Sequence, residues 1–97
     1  MADELRFEWD AANVSHIARH KVTPQEAEQA LFNDPLDLRY EIVEGEERWT
    51  SIGHTESHRV IVLVWSLRGD EIVRVITARE ATKTARQAYF REKGFGL

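Results

Sequence analysis

Arg79, Lys83, Arg86 and Phe90 stand at i, i+4, i+7 and i+11. At 100° per residue a helix gathers all four within about 60° of arc. Three cations then line one stripe beside a helix N-terminus, whose free N–H groups and dipole already favour anions. Such a stripe suits a phosphate, although a solvated basic face has the same pattern. Arg74 stands in phase with Ile72 and Ile76. A charge among apolar neighbours is costly unless it is paired or lies at a rim. Arg48, Thr50 and His54 share one face of a strand, so Arg48 and Arg74 could make a cationic concavity beside the last helix. The opposing expectation is that each arginine pairs with an acid from the N-terminal half. Four histidines raise a metal reading, with His16/His20 and His54/His58 each at i, i+4. A metalloprotease helix needs a glutamate base in His-Glu-x-x-His. The residues here are His16-Ile17-Ala18-Arg19-His20, and Arg19 repels a cation. No metal is therefore expected. His20 is read as complementing the dipole at a helix end, and His54 as the histidine placed for acid–base work. There is no Gly-rich phosphate loop, no Gly-x-Ser-x-Gly elbow and no paired-carboxylate signature.

The elements that must carry these residues follow from caps and periodicity. Asp10 reads as an N-cap, and Ala11, Val14, Ile17 and Ala18 recur at helical spacing, which predicts helix one from Ala11 to Arg19. Thr23-Pro24-Gln25-Glu26 supplies a cap, a proline at the first helical position and a capping box for helix two. Asn33-Asp34-Pro35 stops it. The period then changes to 2. Leu36, Leu38, Tyr40 and Ile42 alternate with polar residues as in a half-buried strand. Glu44-Gly45-Glu46 turns into a second strand, Glu47 to Ile52, and Gly53 to Ser57 reads as a loop. Arg59 to Ser66 is the most apolar segment and is expected at the sheet centre. Arg68-Gly69-Asp70 makes the next hairpin, and Ile72 to Ile76 the fourth strand. Thr77-Ala78-Arg79-Glu80 reads as the capping box of helix three, which runs to Lys93 before Gly94. The expected fold is α+β: two N-terminal helices, an antiparallel four-stranded meander with room for a short extra N-terminal strand, and a C-terminal helix.

Composition sets the bounds. Ninety-seven residues make one domain, 1–97, with a modest core. There is no cysteine, which excludes a disulfide framework, a thiol nucleophile and a cysteine-ligated metal. The longest apolar run, Val60 to Trp65, is far short of the ~20 residues of a membrane span. Asp3, Glu4 and Glu8 without an apolar run argue against a secretory signal, so a cytoplasmic location is expected. The net charge of −4 conceals a division. Residues 1–57 hold five Lys/Arg and 13 Asp/Glu, a balance of −8, whereas residues 58–97 hold eight and four, a balance of +4. Such asymmetry suggests an anionic ligand on one side or a basic partner on the other.

Several short motifs occur in one order: Phe7-Glu8-Trp9-Asp10, His16-Ile17-Ala18-Arg19-His20, Val22-Thr23-Pro24-Gln25-Glu26-Ala27, Asp34-Pro35, Glu47-Arg48, Ile52-Gly53, Arg68-Gly69-Asp70 and Arg74 to Lys83, closing at Arg86 and Tyr89. Together they resemble the BrnT family of bacterial type II toxins over roughly Phe7 to Tyr89. The resemblance implies a RelE-like fold and a small ribonuclease toxin that cleaves RNA without a metal or other cofactor. It also implies a BrnA-like antitoxin as partner, with DNA bound only indirectly through that antitoxin and no membrane. The chain departs from the family pattern at Lys21, where glycine is usual, at Glu80, where a basic residue is common, and at Ala85, where glutamate is common. The Glu80 change removes positive charge from the expected RNA side.

Metal-free cleavage uses the ribose 2′-OH as nucleophile, and arginine forks suit the dianionic phosphorane. Arg79 and Arg74 are the first candidates, then Arg48, with Lys83 or His54 for proton transfer. Arg86 and Arg68 are candidates for holding the RNA backbone. Trp65 and Tyr89 are read as base-stacking rings or as core packing. Two competing readings remain. One is a non-catalytic module that docks a partner through the C-terminal helix. The other is a DNA-binding regulator, weakened by the absence of a basic recognition helix.

Overall fold

A computed structural model describes residues 6–69 and 71–94. Asp70 and the residues at either end lie outside the described residues. The elements run β1 (Arg6–Phe7), α1 (Ala11–Ala18), α2 (Pro24–Phe32), β2 (Leu36–Val43), β3 (Glu46–His54), β4 (Val60–Arg68), β5 (Ile72–Glu80) and α3 (Lys83–Lys93). The sheet order is β1-β5-β4-β3-β2, so the apolar β4 is central as expected. The short N-terminal strand is present and pairs parallel with β5, Arg6 opposite Ile72 and Phe7 opposite Val73. The other pairs are antiparallel.

Both N-terminal helices begin where the caps place them. The Asp10 carboxylate accepts from the Ala12 and Asn13 backbone N–H groups. The Asn13 side chain accepts from Asp10 N and donates to Glu8 O and to Val75 O, tying the start of α1 to β5. Thr23 and Glu26 form the expected reciprocal box.

Alternation along β4 divides the core in two. Ile61 and Leu63 point to α1 and α2, where they meet Ile17, Val22, Ala27, Ala30 and Leu31. Val60 and Val62 point to the opposite face, where Tyr89 and Phe90 of α3 cover Val60 and Ile52. Gly53 shows how closely α2 lies on β3. A Cβ there would sit 1.9 Å from the backbone oxygen of Ala30, so any larger residue collides with main chain.

Two expected boundaries and one expected burial change. β3 continues through Gly53 and His54, because both pair with β4 at Ile61 and Val60. β2 is more exposed than half-buried: only Leu36 and Val43 are partly covered, because it is an edge strand with nothing beyond it. The largest change is at the expected capping box. Thr77, Ala78, Arg79 and Glu80 pair with Val64, Leu63, Val62 and Ile61. Ala78 is fully buried among the core side chains. Pairing with the central strand supplies the backbone hydrogen bonds that a cap at Thr77 would leave to the first helical turn, so strand wins over local helix signal. The ladder ends with Ala81 N donating to Val60 O. Thr82 is the true cap of α3, accepting from Ala85 N, and Gly94 closes the helix at φ 77° as expected.

Candidate active site

The late start of α3 dissolves the stripe expected on that helix. Arg79 is a strand residue opposite Val62, while Lys83 opens α3. Phe90 is buried, and the Arg86 guanidinium lies over its ring at 5.1 Å, a cation–π contact that holds Arg86 to its own helix.

Arg79 instead faces the side of the sheet that α1 and α2 leave open. The register builds two rows across that face. Arg39 stands opposite Thr50, Thr50 opposite Val64, and Val64 opposite Thr77. Beside it run Ile52, Val62 and Arg79. The result is a cavity of about 530 Å³. Val62 and Val64 form an apolar floor, Thr50 and Thr77 add hydroxyls, Arg39 and Arg79 supply the cations, and His20 adds an imidazole. Three strand spacings separate Arg39 from Thr77, roughly 14 Å between Cα atoms, so the two guanidiniums approach the floor from opposite sides. Among the described residues neither Arg39 nor Arg79 has an ion-pair partner. The Glu80 carboxylate does not offset Arg79, because it lies 3.3 Å from Arg59. His20 stacks edge-on against His16, with ring centroids 5.9 Å apart.

The other expected site residues lie elsewhere. Arg74 donates to Asp10 at 2.9 Å and to Glu8 at 3.3 Å. Its hydrogen bond holds the Asp10 carboxyl below the usual carboxylate range, helped by the Asn13 backbone N–H, and those carboxylates raise the arginine in turn. Arg68 sits 3.7 Å from the same Glu8. Arg48 pairs with Glu46 at 2.9 Å. For these three arginines pairing with the N-terminal acids holds. His54 Nδ1 lies 2.9 Å from the Tyr89 hydroxyl, and that hydroxyl donates to the Asn33 and Asp34 carbonyls, 3.3 and 3.0 Å away. Burial pushes the Tyr89 hydroxyl up, with the Asp34 charge adding to it. Tyr89 is thus a buried tie between α3 and the end of α2, and it does not offer its ring to a base. Trp65 stacks on Trp49 at 4.9 Å and donates to Ser51 Oγ, half-buried on the helix-covered face.

Arg39 and His20 line the cavity without having been among the expected site residues. A signal for Arg39 was present. Glu44 and Gly45 have φ 52° and 81°, the left-handed pair of a two-residue hairpin. That turn fixes Val43 opposite Glu46 and counts back to Arg39 opposite Thr50. His20 carried no such signal, because nothing local says that the end of α1 reaches this cavity. Among the described residues no three His, Asp or Glu side chains gather as metal ligands.

A small α+β protein with two helices over one sheet face, and a third helix beside a cationic cavity on the other, is the class that this architecture defines. The crystal structure of the Brucella abortus ribonuclease toxin BrnT, at 1.1 Å resolution, has the same fold, with a TM-score of 0.61 and 20% sequence identity over 82% of this chain and all of that one. A profile of the ribonuclease toxin, BrnT, of type II toxin–antitoxin systems matches residues 9–85, and the chain belongs to that family. No curated protein matches it.

Proposed function

We propose that this chain, as one cytoplasmic domain, is an endoribonuclease toxin that cuts RNA without a metal and is neutralised by a BrnA-like antitoxin, through which alone it meets DNA. The observation that carries the reading is the cavity on the open sheet face, where Arg39 and Arg79 have no carboxylate partner among the described residues and His20 stands with them. Family membership supplies the substrate class. In the reaction the ribose O2′ attacks the adjacent phosphorus and gives up its proton. The P–O5′ bond breaks, O5′ takes a proton, and the products are a 2′,3′-cyclic phosphate and a 5′-hydroxyl. Arg79 and Arg39 bind the non-bridging oxygens, whose charge grows in the transition state. His20 is the proton carrier. Thr50 and Thr77 orient the phosphate, and Lys83 holds the backbone beyond Arg79. Arg74, Arg48, Arg68 and the His54–Tyr89 pair position the fold rather than the substrate.

The test is incubation of purified protein with RNA in EDTA, with products resolved by 3′-end chemistry. Cleavage to cyclic phosphate ends in EDTA is expected. Activity lost in EDTA and restored by magnesium or manganese overturns the mechanism.

A further inference from the structure

The edge strand β2 carries exposed apolar residues, of which Tyr40 and Ile42 lie outside the cavity of the ribonuclease reading. Leu38, Tyr40 and Ile42 are 55%, 51% and 63% exposed, large values for apolar side chains on a strand. Their backbone matters as much. The two-residue turn makes Val43 and Glu46 a mutually hydrogen-bonded pair, and such pairs alternate along an antiparallel ladder. Glu41 and Arg39 therefore face inward to β3, while Ile42 and Tyr40 turn their N–H and C=O groups out from the sheet. Exposed side chain and outward-turned backbone coincide at Tyr40 and Ile42, while Leu38 lies at the bulge in the ladder; this is the pattern of a strand awaiting a neighbour.

The surroundings specify that neighbour. Glu41, Glu44 and Glu47 are exposed along this strand and its turn and outnumber its one exposed cation, Arg39, in the half of the chain whose balance is −8. A second copy would bring the same acids against them. At its other end β2 opens into an apolar groove of about 470 Å³, where Leu36 and Leu38 face Ala85 and Ala88 of α3 and the charges are Asp37 and Glu92, both acidic. Apolar surface with acids on both flanks fits a cationic polypeptide.

We propose that the free edge of β2 docks a partner polypeptide by strand addition, through an extended segment whose apolar residues alternate with Lys or Arg. That this partner is the antitoxin rests on the toxin reading above; the docking chemistry does not. A strand laid on β2 runs past Leu38 and Arg39, and both line the cationic cavity. Docking therefore closes the β2 side of that cavity, which gives the partner a route to inhibition.

The probe is a synthetic nonapeptide alternating isoleucine and lysine, with an isoleucine–glutamate peptide as its counterpart. Binding is read by fluorescence anisotropy and by amide hydrogen exchange on the full chain. The lysine peptide is expected to bind, to slow exchange at Tyr40 and Ile42, and to exceed the glutamate peptide in affinity. Ile42→Pro removes an outward N–H that an edge strand can spare and should weaken binding about tenfold, the scale of a lost pairing bond. If that variant fails to fold, Ile42→Lys adds a like charge at the same exposed position and should weaken binding similarly. Equal binding of both peptides, or protection on α3 with none on β2, overturns the proposal. So does sedimentation of the free protein as a dimer that protects these same amides. RNA cleavage is scored separately, on the unsubstituted chain and without peptide. A chain that binds the lysine peptide but cuts no RNA leaves the docking surface standing and removes the toxin reading.

Discussion

Arg79→Ala and Arg74→Ala should separate two kinds of arginine that look alike in the sequence. Arg79 is exposed and without an ion pair among the described residues, so its removal leaves no buried charge behind. Exposed substitutions of this kind change stability by less than about 0.5 kcal/mol. If the guanidinium donates to the phosphorane, its loss should slow single-turnover cleavage by roughly 10²–10³, or about 2.7–4 kcal/mol of transition-state stabilisation. Arg74 inverts the pattern. It is enclosed between Asp10 and Glu8, and removing it strips Asp10, the cap of α1, of its counter-charge. The melting temperature should fall while cleavage by the folded fraction stays unchanged. The assay pairs single-turnover cleavage of a labelled RNA in EDTA with urea unfolding of each variant. An Arg79→Ala variant that is folded and fully active refutes the cavity as the site. Large losses of activity in a folded Arg74→Ala variant would return the site to the β1 side of the sheet.

His20→Ala should cost about 10²–10⁴ in cleavage rate; an unchanged rate assigns proton transfer to another group. Acid should destabilise the fold through Asp10 and Glu26. Burial alone would raise the Glu26 carboxyl, but the Thr23 N–H and the Arg59 guanidinium outweigh it and hold it low, as the Arg74 hydrogen bond does first for Asp10. Depressed folded values mean that this stability is present above the ordinary carboxylate range, about 4, and is lost as pH falls through the folded values. Urea titrations from neutral pH downward should show the decline, and Arg74→Ala should lose part of it. Gly53→Ala should destabilise by at least the roughly 1–3 kcal/mol of ordinary overpacking, because its methyl group meets the Ala30 backbone and not a movable side chain. Near-wild-type unfolding would show that α2 can shift away from β3.

What the sequence disclosed and withheld divides by range of interaction. Asp10, Thr23 and Gly94 announce their helix ends through bonds within a few residues, and those ends are found where expected. Thr77 to Glu80 misled because a local capping pattern competed with pairing to β4, a partner some 16 residues away along the chain and invisible to local pattern. Arg79 thus stands on a strand where the local pattern put it on a helix. The fate of Arg74 was decided by acids 64 and 66 residues distant. The exposure of β2 depends on sheet order, which alternation alone does not encode.

The parallel pair between β1 and β5 has a consequence for the order in which the molecule is made. Phe7 pairs with Val73, and the Asn13 amide reaches Val75. The early segments that frame α1 therefore wait for the last strand. Arg79 itself lies near the end of that strand. At synthesis rates of about 5–20 residues per second, the interval between completing β3 and completing β5 is on the order of 1–5 s. Throughout it, the arginine at one wall of the cavity does not yet exist, and the floor provided by β4 is still being laid. A nascent chain therefore lacks the complete cavity until β5 has been made, and the outer strand β2 with its hairpin to β3 is complete well before that.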